Sequence, residues 1–133
     1  MKINLYDVLD RFYMALQNKN HESLLEFFSD EAVYDNPDLR KAVLVIRTKD
    51  AVVRALLAHL DTFSGFKFEG RKISVKENIV VVNWTLSYVK QNETTEKTLS
   101  GTDTFNFDSN GKIACLSSSW NPEEYSSGTS RPV

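Results

Sequence analysis

Asp103 has the surroundings best suited to proton chemistry in this sequence. It alternates with Gly101, Phe105 and Phe107, and this period of two predicts a strand on which these residues share one apolar face. Burial disfavours an ionised carboxylate and raises its pKa, and a neutral carboxylic acid can donate a hydrogen bond or a proton to a ligand oxygen. We predict Asp103 as a catalytic acid, with a structural acid bonded to a neighbouring side chain or lying at a rim as the alternative.

His59 and Tyr34 are the other candidates for a catalytic role. His59 lies on the apolar face of a predicted helix, and Tyr34 shares a strand face with Asn36, where the two could orient a ligand carbonyl or a water. A histidine that reached Asp103 would hold the acid ionised, so the sign of the Asp103 pKa shift separates two mechanisms. Each candidate also has a structural interpretation, since a lone histidine is often a core or rim residue and Asn36 could close the turn before Pro37.

Apolar and aromatic side chains are expected to form the walls of a ligand pocket. The same residues would serve as ordinary core, because aromatic side chains supply most of the buried area in either case. Together with Asn36, the predicted ligand contacts are Phe12, Leu16, Leu56, Trp84, Tyr88, Phe105 and Trp120.

The elements that must position these residues follow from hydrophobic periodicity. Helical spacing predicts helices over residues 5–17, about 21–28 and 49–62, capped by Asn4, Asn20 and Thr48. From residue 66 onward the period is two, which predicts an antiparallel meander and therefore an α+β class. The apolar parity slips between Phe68 and Ile73, and a β-bulge near Gly70 would produce that slip.

Length and composition exclude several classes of protein. The 133 residues fit one domain, over residues 1–125, with a small, polar and mobile C-terminal tail over 126–133. Its 18 acidic and 16 basic residues are scattered, so nucleic acid is not expected as a partner. We expect no signal peptide, no membrane span, no metal and no cofactor, and the single cysteine, Cys115, agrees with a cytoplasmic location.

Three segments carry a resemblance to a known group of proteins. They are FFSDEAVYDNP at residues 27–37, IRTKDAV at 46–52 and GTDTFNFDSNGKI at 101–113, followed by WNP at 120–122. This order resembles the SnoaL-like and ketosteroid isomerase group of the nuclear transport factor 2-like superfamily, over about residues 5–125. The resemblance implies a cone-shaped α+β barrel, with three N-terminal helices packed on a strongly curved, mostly antiparallel sheet.

The resemblance extends only partly to the catalytic residues of that group. Asn36 stands where ketosteroid isomerases have their proton-shuttling aspartate, Phe12 and Leu56 stand in place of two tyrosines, and Asp103 matches the third member, an aspartic acid. The limonene epoxide hydrolase type shares the spacing of Tyr34 and Asn36. It needs charged partners where this chain has Trp84, Leu86 and Ser118, so epoxide hydrolysis is not expected.

These observations predict a small-molecule pocket protein. Isomerase- or cyclase-like acid–base chemistry on an apolar substrate with a carbonyl or hydroxyl is the first interpretation, in which His59 or Tyr34 assists Asp103. A non-catalytic ligand-binding or dimerisation module with a vestigial pocket is the alternative.

We also predict a homodimer through the outer sheet face, which the resemblance implies and which Ile79, Val81 and Val89 make apolar. Val81→Asp would place two charges near each other across a twofold interface and should shift the protein to monomer. Sedimentation of both forms at micromolar concentration checks this. A wild-type protein that sediments only as monomer would contradict the prediction.

Overall fold

The computed structural model describes residues 4–35 and 45–120 of the chain. Asn36 and the predicted tail over residues 126–133 lie outside these ranges, as does the side chain of Trp120. This part of the chain contains three helices, α1 (Leu5–Gln17), α2 (His21–Phe27) and α3 (Lys49–Leu60). Within the described ranges, no helix is both long enough and apolar enough to cross a membrane.

The helix starts agree with the sequence except in one detail. Asn4 Oδ1 accepts a hydrogen bond from the backbone N–H of Asp7, and Asn20 Oδ1 accepts one from the backbone N–H of Ser23. Thr48 occupies the N-cap position of α3, but its side chain makes no capping hydrogen bond because its backbone has a positive φ of 78°. The prediction of Thr48 as a side-chain cap was therefore wrong.

The strands form one curved, unclosed sheet. They are β1 (Phe28–Asp35), β2 (Ile46–Arg47), β3 (Phe63–Lys76), β4 (Ile79–Lys90), β5 (Lys97–Phe107) and β6 (Ile113–Trp120), in the order β2-β1-β6-β5-β4-β3. Every pairing is antiparallel except that of β1 with β6. The predicted α+β architecture, three helices on a mostly antiparallel curved sheet, is confirmed.

A bulge in β3 changes which side chains face the helices. Phe68 pairs with Leu86 and Gly70 with Thr85, so Glu69 is the extra residue on this strand. The prediction of a bulge beside Gly70 is confirmed. Because an extra residue reverses the alternation, Arg71 rather than Gly70 follows Phe68 on the inner face.

The hydrophobic core fills the space between the inner face of the sheet and the helices. Alternate residues of β4 and β5 point into it, which follows from the period of two seen in the sequence. The largest fully buried side chains are Tyr13, Tyr88, Phe12, Phe63, Phe105, Leu9, Leu24, Leu99, Ile113, Leu116, Val52 and Val53.

Gly101 provides the space for a tryptophan next to Asp103. It pairs directly with Trp84 on the neighbouring strand, and the indole ring covers the position that a side chain at 101 would occupy. A Cβ atom added at Gly101 would overlap the Trp84 ring and lie 2.8 Å from the Ser119 carbonyl oxygen. The glycine thus fixes the place of the Trp84 indole.

Gly101→Ala should destabilise the fold by roughly 1–3 kcal/mol, because overpacking forces either the indole or the backbone of β6 to move. Urea unfolding monitored by tryptophan fluorescence measures the change. Gly65→Ala is the matched control, since a Cβ atom there meets nothing within 4 Å. Equal stability of the two variants would contradict the assigned role of Gly101.

Candidate functional site

A narrow cavity lies between the helices and the inner face of the sheet. Its volume is about 60 Å³, which is far below the roughly 300–1,000 Å³ of typical ligand pockets. Its walls are mainly leucine and aromatic side chains, with a few polar groups among them. The lining residues are Leu16, Tyr34, Leu56, His59, Leu60, Phe63, Phe68, Trp84, Leu86, Leu99, Asp103 and Ser118.

The carboxyl group of Asp103 is the most deeply buried acid at this cavity, at 7% exposure. The hydroxyl of Tyr13 donates a hydrogen bond to Asp103 Oδ2 at 2.5 Å. Burial raises the pKa of Asp103, while hydrogen bonds from Tyr13, Ser118 and Trp84 act in the opposite direction without cancelling the effect of burial. The strand position of Asp103 predicted the same direction of shift, so burial favours the protonated form of this carboxyl group.

Tyr13 is the functional group that the sequence interpretation missed. The resemblance matched the tyrosine position of ketosteroid isomerases to Phe12, but the next residue on α1 supplies the hydroxyl that reaches Asp103. Leu9, Phe12, Tyr13 and Leu16 form one buried helix face. Tyr13 is four residues after Leu9 and three before Leu16, and that spacing was the available signal.

The phenol of Tyr13 lies in a closely packed environment. Its ring makes edge-to-face contacts with Phe12 and Phe68, both at 5.3 Å between ring centroids, and the guanidinium carbon of Arg71 lies 4.9 Å from its centroid. Burial, followed by the charge and the hydrogen bond of Asp103, raises the pKa of Tyr13 well above its ordinary value, and Arg71 lowers it. Tyr13 is therefore a neutral hydrogen-bond donor at physiological pH.

His59 stands on the cavity wall as a neutral imidazole. Burial, and to a lesser degree the charge of Lys90, lowers its pKa to about 4, and its ring makes an edge-to-face contact with Phe63. Asp103 is not among the groups that shift the pKa of His59, and His59 is not among those that shift the pKa of Asp103. The two therefore act as separate polar groups, which favours the neutral-acid mechanism over the ion-pair mechanism.

The other predicted site residues divide into two groups. Tyr34, Leu16, Leu56 and Trp84 line the cavity beside Asp103 and His59. Phe12, Tyr88 and Phe105 are buried in the surrounding core and are not among the lining residues. Asn36 and the side chain of Trp120 fall outside the described part of the chain, so their role as ligand contacts stays a prediction.

The arrangement suits proton exchange with an uncharged oxygen. A buried carboxyl group with a raised pKa faces a space walled by hydrocarbon and aromatic rings, with an imidazole and a phenol on the same walls. Among the described residues that line the cavity, none is a lysine or arginine that could neutralise an anionic ligand. No cluster of three or more histidine, cysteine, aspartate or glutamate side chains suited to a metal occurs among residues 4–35 and 45–120.

The model of the SnoaL-like domain family matches residues 9–116. No curated protein sequence matches the chain.

Solved structures of the same fold cover nearly the whole chain. A nuclear transport factor 2-like protein of unknown function from Burkholderia pseudomallei is 16% identical, with a TM-score of 0.82 over 98% of this chain and 100% of its own. A proposed polyketide cyclase from Xanthomonas campestris pv. campestris is 14% identical, with a TM-score of 0.79 over 94% and 96%. TerC, co-crystallised with polyporic acid, is 14% identical, with a TM-score of 0.78 over 92% and 95%. At such identities the likeness establishes the fold.

The lowered pKa of His59 predicts a pH dependence of stability. The native state keeps His59 neutral down to about pH 4, whereas the unfolded chain binds a proton near pH 6.5. The stabilisation is fully present above about pH 6.5 and is lost as the pH falls from there to about 4, amounting to at most about 3 kcal/mol.

His59→Gln should therefore flatten the decline of stability between pH 6.5 and 4, measured by urea unfolding at four pH values. His21→Gln is the matched control, because His21 is the other histidine of the chain and lies on the surface near Asp50. If both variants keep the wild-type slope, His59 is not buried in its neutral form.

Proposed function

Because the chain belongs to the SnoaL-like domain family, we propose that it is an acid–base enzyme that isomerises or cyclises a small, largely apolar substrate. Asp103 donates a proton or a hydrogen bond to a carbonyl or hydroxyl oxygen of that substrate and recovers the proton later in the cycle. The reaction is redox-neutral and consumes no co-reactant. It needs no metal or organic cofactor.

The observation that carries this proposal is a buried acid with a raised pKa on an apolar cavity. Asp103 is held in place by the hydroxyl of Tyr13, so its orientation is set before a ligand arrives. A raised pKa brings a carboxyl group closer to what general acid catalysis requires, because donor and acceptor then differ less in proton affinity. His59 and Tyr34, on the same walls, would receive or relay the second proton.

The cavity walls also restrict the substrate. A carboxylate or phosphate entering this space would lose its hydration next to an acid, and the lining residues that the structure describes include no cation to compensate. An uncharged ketone, ester or phenol fits these walls. The proposed polyketide cyclase among the structural neighbours agrees with cyclisation of such a molecule.

The second candidate function is a non-catalytic ligand-binding module, and one observation favours it. The cavity holds about 60 Å³, less than the roughly 150 Å³ of an engineered apolar cavity that accepts benzene. On this alternative, the hydrogen bonds of Asp103 with Tyr13 and Ser118 serve only to pair buried polar groups. On the enzyme proposal, the side chains at the cavity move apart when a substrate binds.

The proposal includes an assembly and a location. We propose that the protein acts as a homodimer in the cytoplasm, with the outer face of the sheet as the interface. Val81 and Val89 are partly buried on that face and Ile79 is 42% exposed, so a partner copy would cover additional apolar surface.

The test begins with thermal-shift screening against uncharged steroid ketones, polyketide phenols and small terpenoids, because a ligand of the native state raises its melting temperature. Turnover of any hit is then followed by NMR. Asp103→Asn should keep ligand binding while it lowers turnover by about 10²- to 10⁴-fold, the usual contribution of a general acid. Asp61→Asn, at a surface ion pair with Lys19, is the matched control and should retain full turnover.

Stability of the variant separates a lost proton donor from a damaged fold. Burial raises the pKa of Asp103, so the wild type loses stability as the pH rises from about 3.8 through the pKa of Asp103 in the native state. An asparagine at this position does not ionise, so the variant does not lose that stability. Asp103→Asn should therefore be at least as stable as the wild type at pH 7. Ligand binding without turnover in the wild type would favour the binding module, and unchanged turnover in Asp103→Asn would remove Asp103 from the reaction.

A further inference from the structure

The guanidinium of Arg71, outside the cavity, is connected to the buried Asp103 through the side chain of Tyr13. Arg71 follows the β3 bulge, and its side chain is 28% exposed. One of its guanidinium nitrogens is 3.2 Å from Asp10 Oδ1 on α1, and its guanidinium carbon is 4.9 Å from the centroid of the Tyr13 ring. The guanidinium thus contacts an exposed carboxylate and a buried phenol at once.

The phenol continues this path into the cavity. The hydroxyl of Tyr13 donates to Asp103 Oδ2 at 2.5 Å, and Asp103 lines the cavity. Asp10, Arg71, Tyr13 and Asp103 therefore form a continuous chain from solvent to the acid. The bulge at Glu69 is what completes it, because without the extra residue Arg71 would point to the outer face of the sheet.

We propose that Arg71 is a positioning residue that acts through Tyr13 to set how strongly Asp103 holds its proton, and that Asp10 moderates it. The proposal deepens the proposed function, since it names what tunes the acid of that site. It concerns a property of the protein without ligand, so it can be measured whether or not a substrate is known.

The physical basis is the effect of a cation on a phenol. A guanidinium over the face of an aromatic ring is attracted to its π electrons and withdraws electron density from the ring. The hydroxyl becomes a stronger donor, and a stronger hydrogen bond to Oδ2 favours the carboxylate form of Asp103. The charge of Arg71 lowers the pKa of Tyr13 against the larger effect of burial, which agrees with this direction.

Other polar groups lie near Asp103 and Arg71 and must be held constant. Trp84 on β4 and Ser118 on β6 act on Asp103, while His59 on α3 and Tyr34 on β1 face the cavity. Near Arg71, Lys67 on β3 and Asp10 on α1 line the same surface depression. Arg71 is not among the groups that shift the pKa of Asp103 directly, so its influence is expected to pass through the Tyr13 hydroxyl.

The experiment is an NMR titration of the carboxyl carbon of Asp103 in the ligand-free protein. Arg71→Gln should raise the titration midpoint of Asp103, because the phenol becomes a weaker donor. Arg71→Lys keeps the charge and should restore most of the wild-type midpoint. Asp10→Asn removes the negative charge that offsets Arg71 and should shift the midpoint down.

Arg11→Gln is the matched control. Arg11, on α1, also forms an ion pair, with Asp7 at 3.3 Å, and also lies over an aromatic ring, 5.8 Å from the centroid of Phe27, but that ring has no hydroxyl. This variant should leave the midpoint of Asp103 unchanged. An equal shift in Arg11→Gln and Arg71→Gln would reduce the effect to general surface charge and overturn the proposal.

A double-mutant comparison separates the path through Tyr13 from a direct field. In a Tyr13→Phe background, Arg71→Gln should move the Asp103 midpoint much less than it does in the wild type. An undiminished shift in that background, or no shift in either, overturns the proposal. Should Arg71→Gln fail to fold, the other two variants still decide the proposal. It requires a titration midpoint of Asp103 close to that of the wild type in Arg71→Lys and a lowered midpoint in Asp10→Asn.

The outcome is also separable from that of the proposed function. If the midpoints respond as expected but no substrate turns over, Arg71 tunes a buried acid that is not catalytic, and only the proposed function fails. Where turnover exists, the pH at which activity declines should follow the measured midpoint of Asp103 in each variant.

Discussion

The hydrogen bond from Tyr13 to Asp103 is the interaction on which the polar site of this domain depends. An acid at 7% exposure would be costly to ionise and costly to leave without partners. Helix α1 delivers the Tyr13 hydroxyl to one carboxyl oxygen, and β4 and β6 bring Trp84 and Ser118 to the same group. Each supporting residue belongs to a different element, so the acid is partnered only when the domain is assembled.

Two irregular features of the sheet make that arrangement possible. The absence of a side chain at Gly101 leaves the surface of β5 open for the Trp84 indole, next to Asp103 on the same face. The extra residue in β3 turns Arg71 inward against the Tyr13 ring. A regular sheet with side chains at every inward position would have neither contact, so the polar site depends on departures from regularity in the strands around it.

Much of the fold follows from sequence periodicity, because apolar spacing directly reflects which face of a helix or strand is buried. The caps at Asn4 and Asn20, the bulge beside Gly70 and the inward position of Asp103 were all predictable on this basis. Strand β2 was not, since two residues are too few to show a period.

The partners within the site were harder to predict. Periodicity assigns a residue to a face but does not say which side chain on a facing element it meets, and Tyr13 therefore escaped notice beside Phe12. The same limit applied to His59. Whether His59 and Asp103 shift each other's pKa depends on where α3 crosses the sheet, and periodicity does not give that position.

The one parallel pairing in the sheet, between β1 and β6, has a consequence for how the protein folds. Tyr34 pairs with Leu116, and Tyr13 meets Asp103 across 90 residues, so the site is closed by contacts between distant parts of the chain. Closing such long loops lowers the entropy of the chain before the new contacts stabilise it, and topologies of this kind fold slowly. During synthesis, β1 cannot form its parallel pairing until β6 has been made, and Tyr13 cannot meet Asp103 until β5 has been made. The full set of hydrogen-bond partners of Asp103, which includes Ser118 on β6, is therefore available only after β6 has been synthesised.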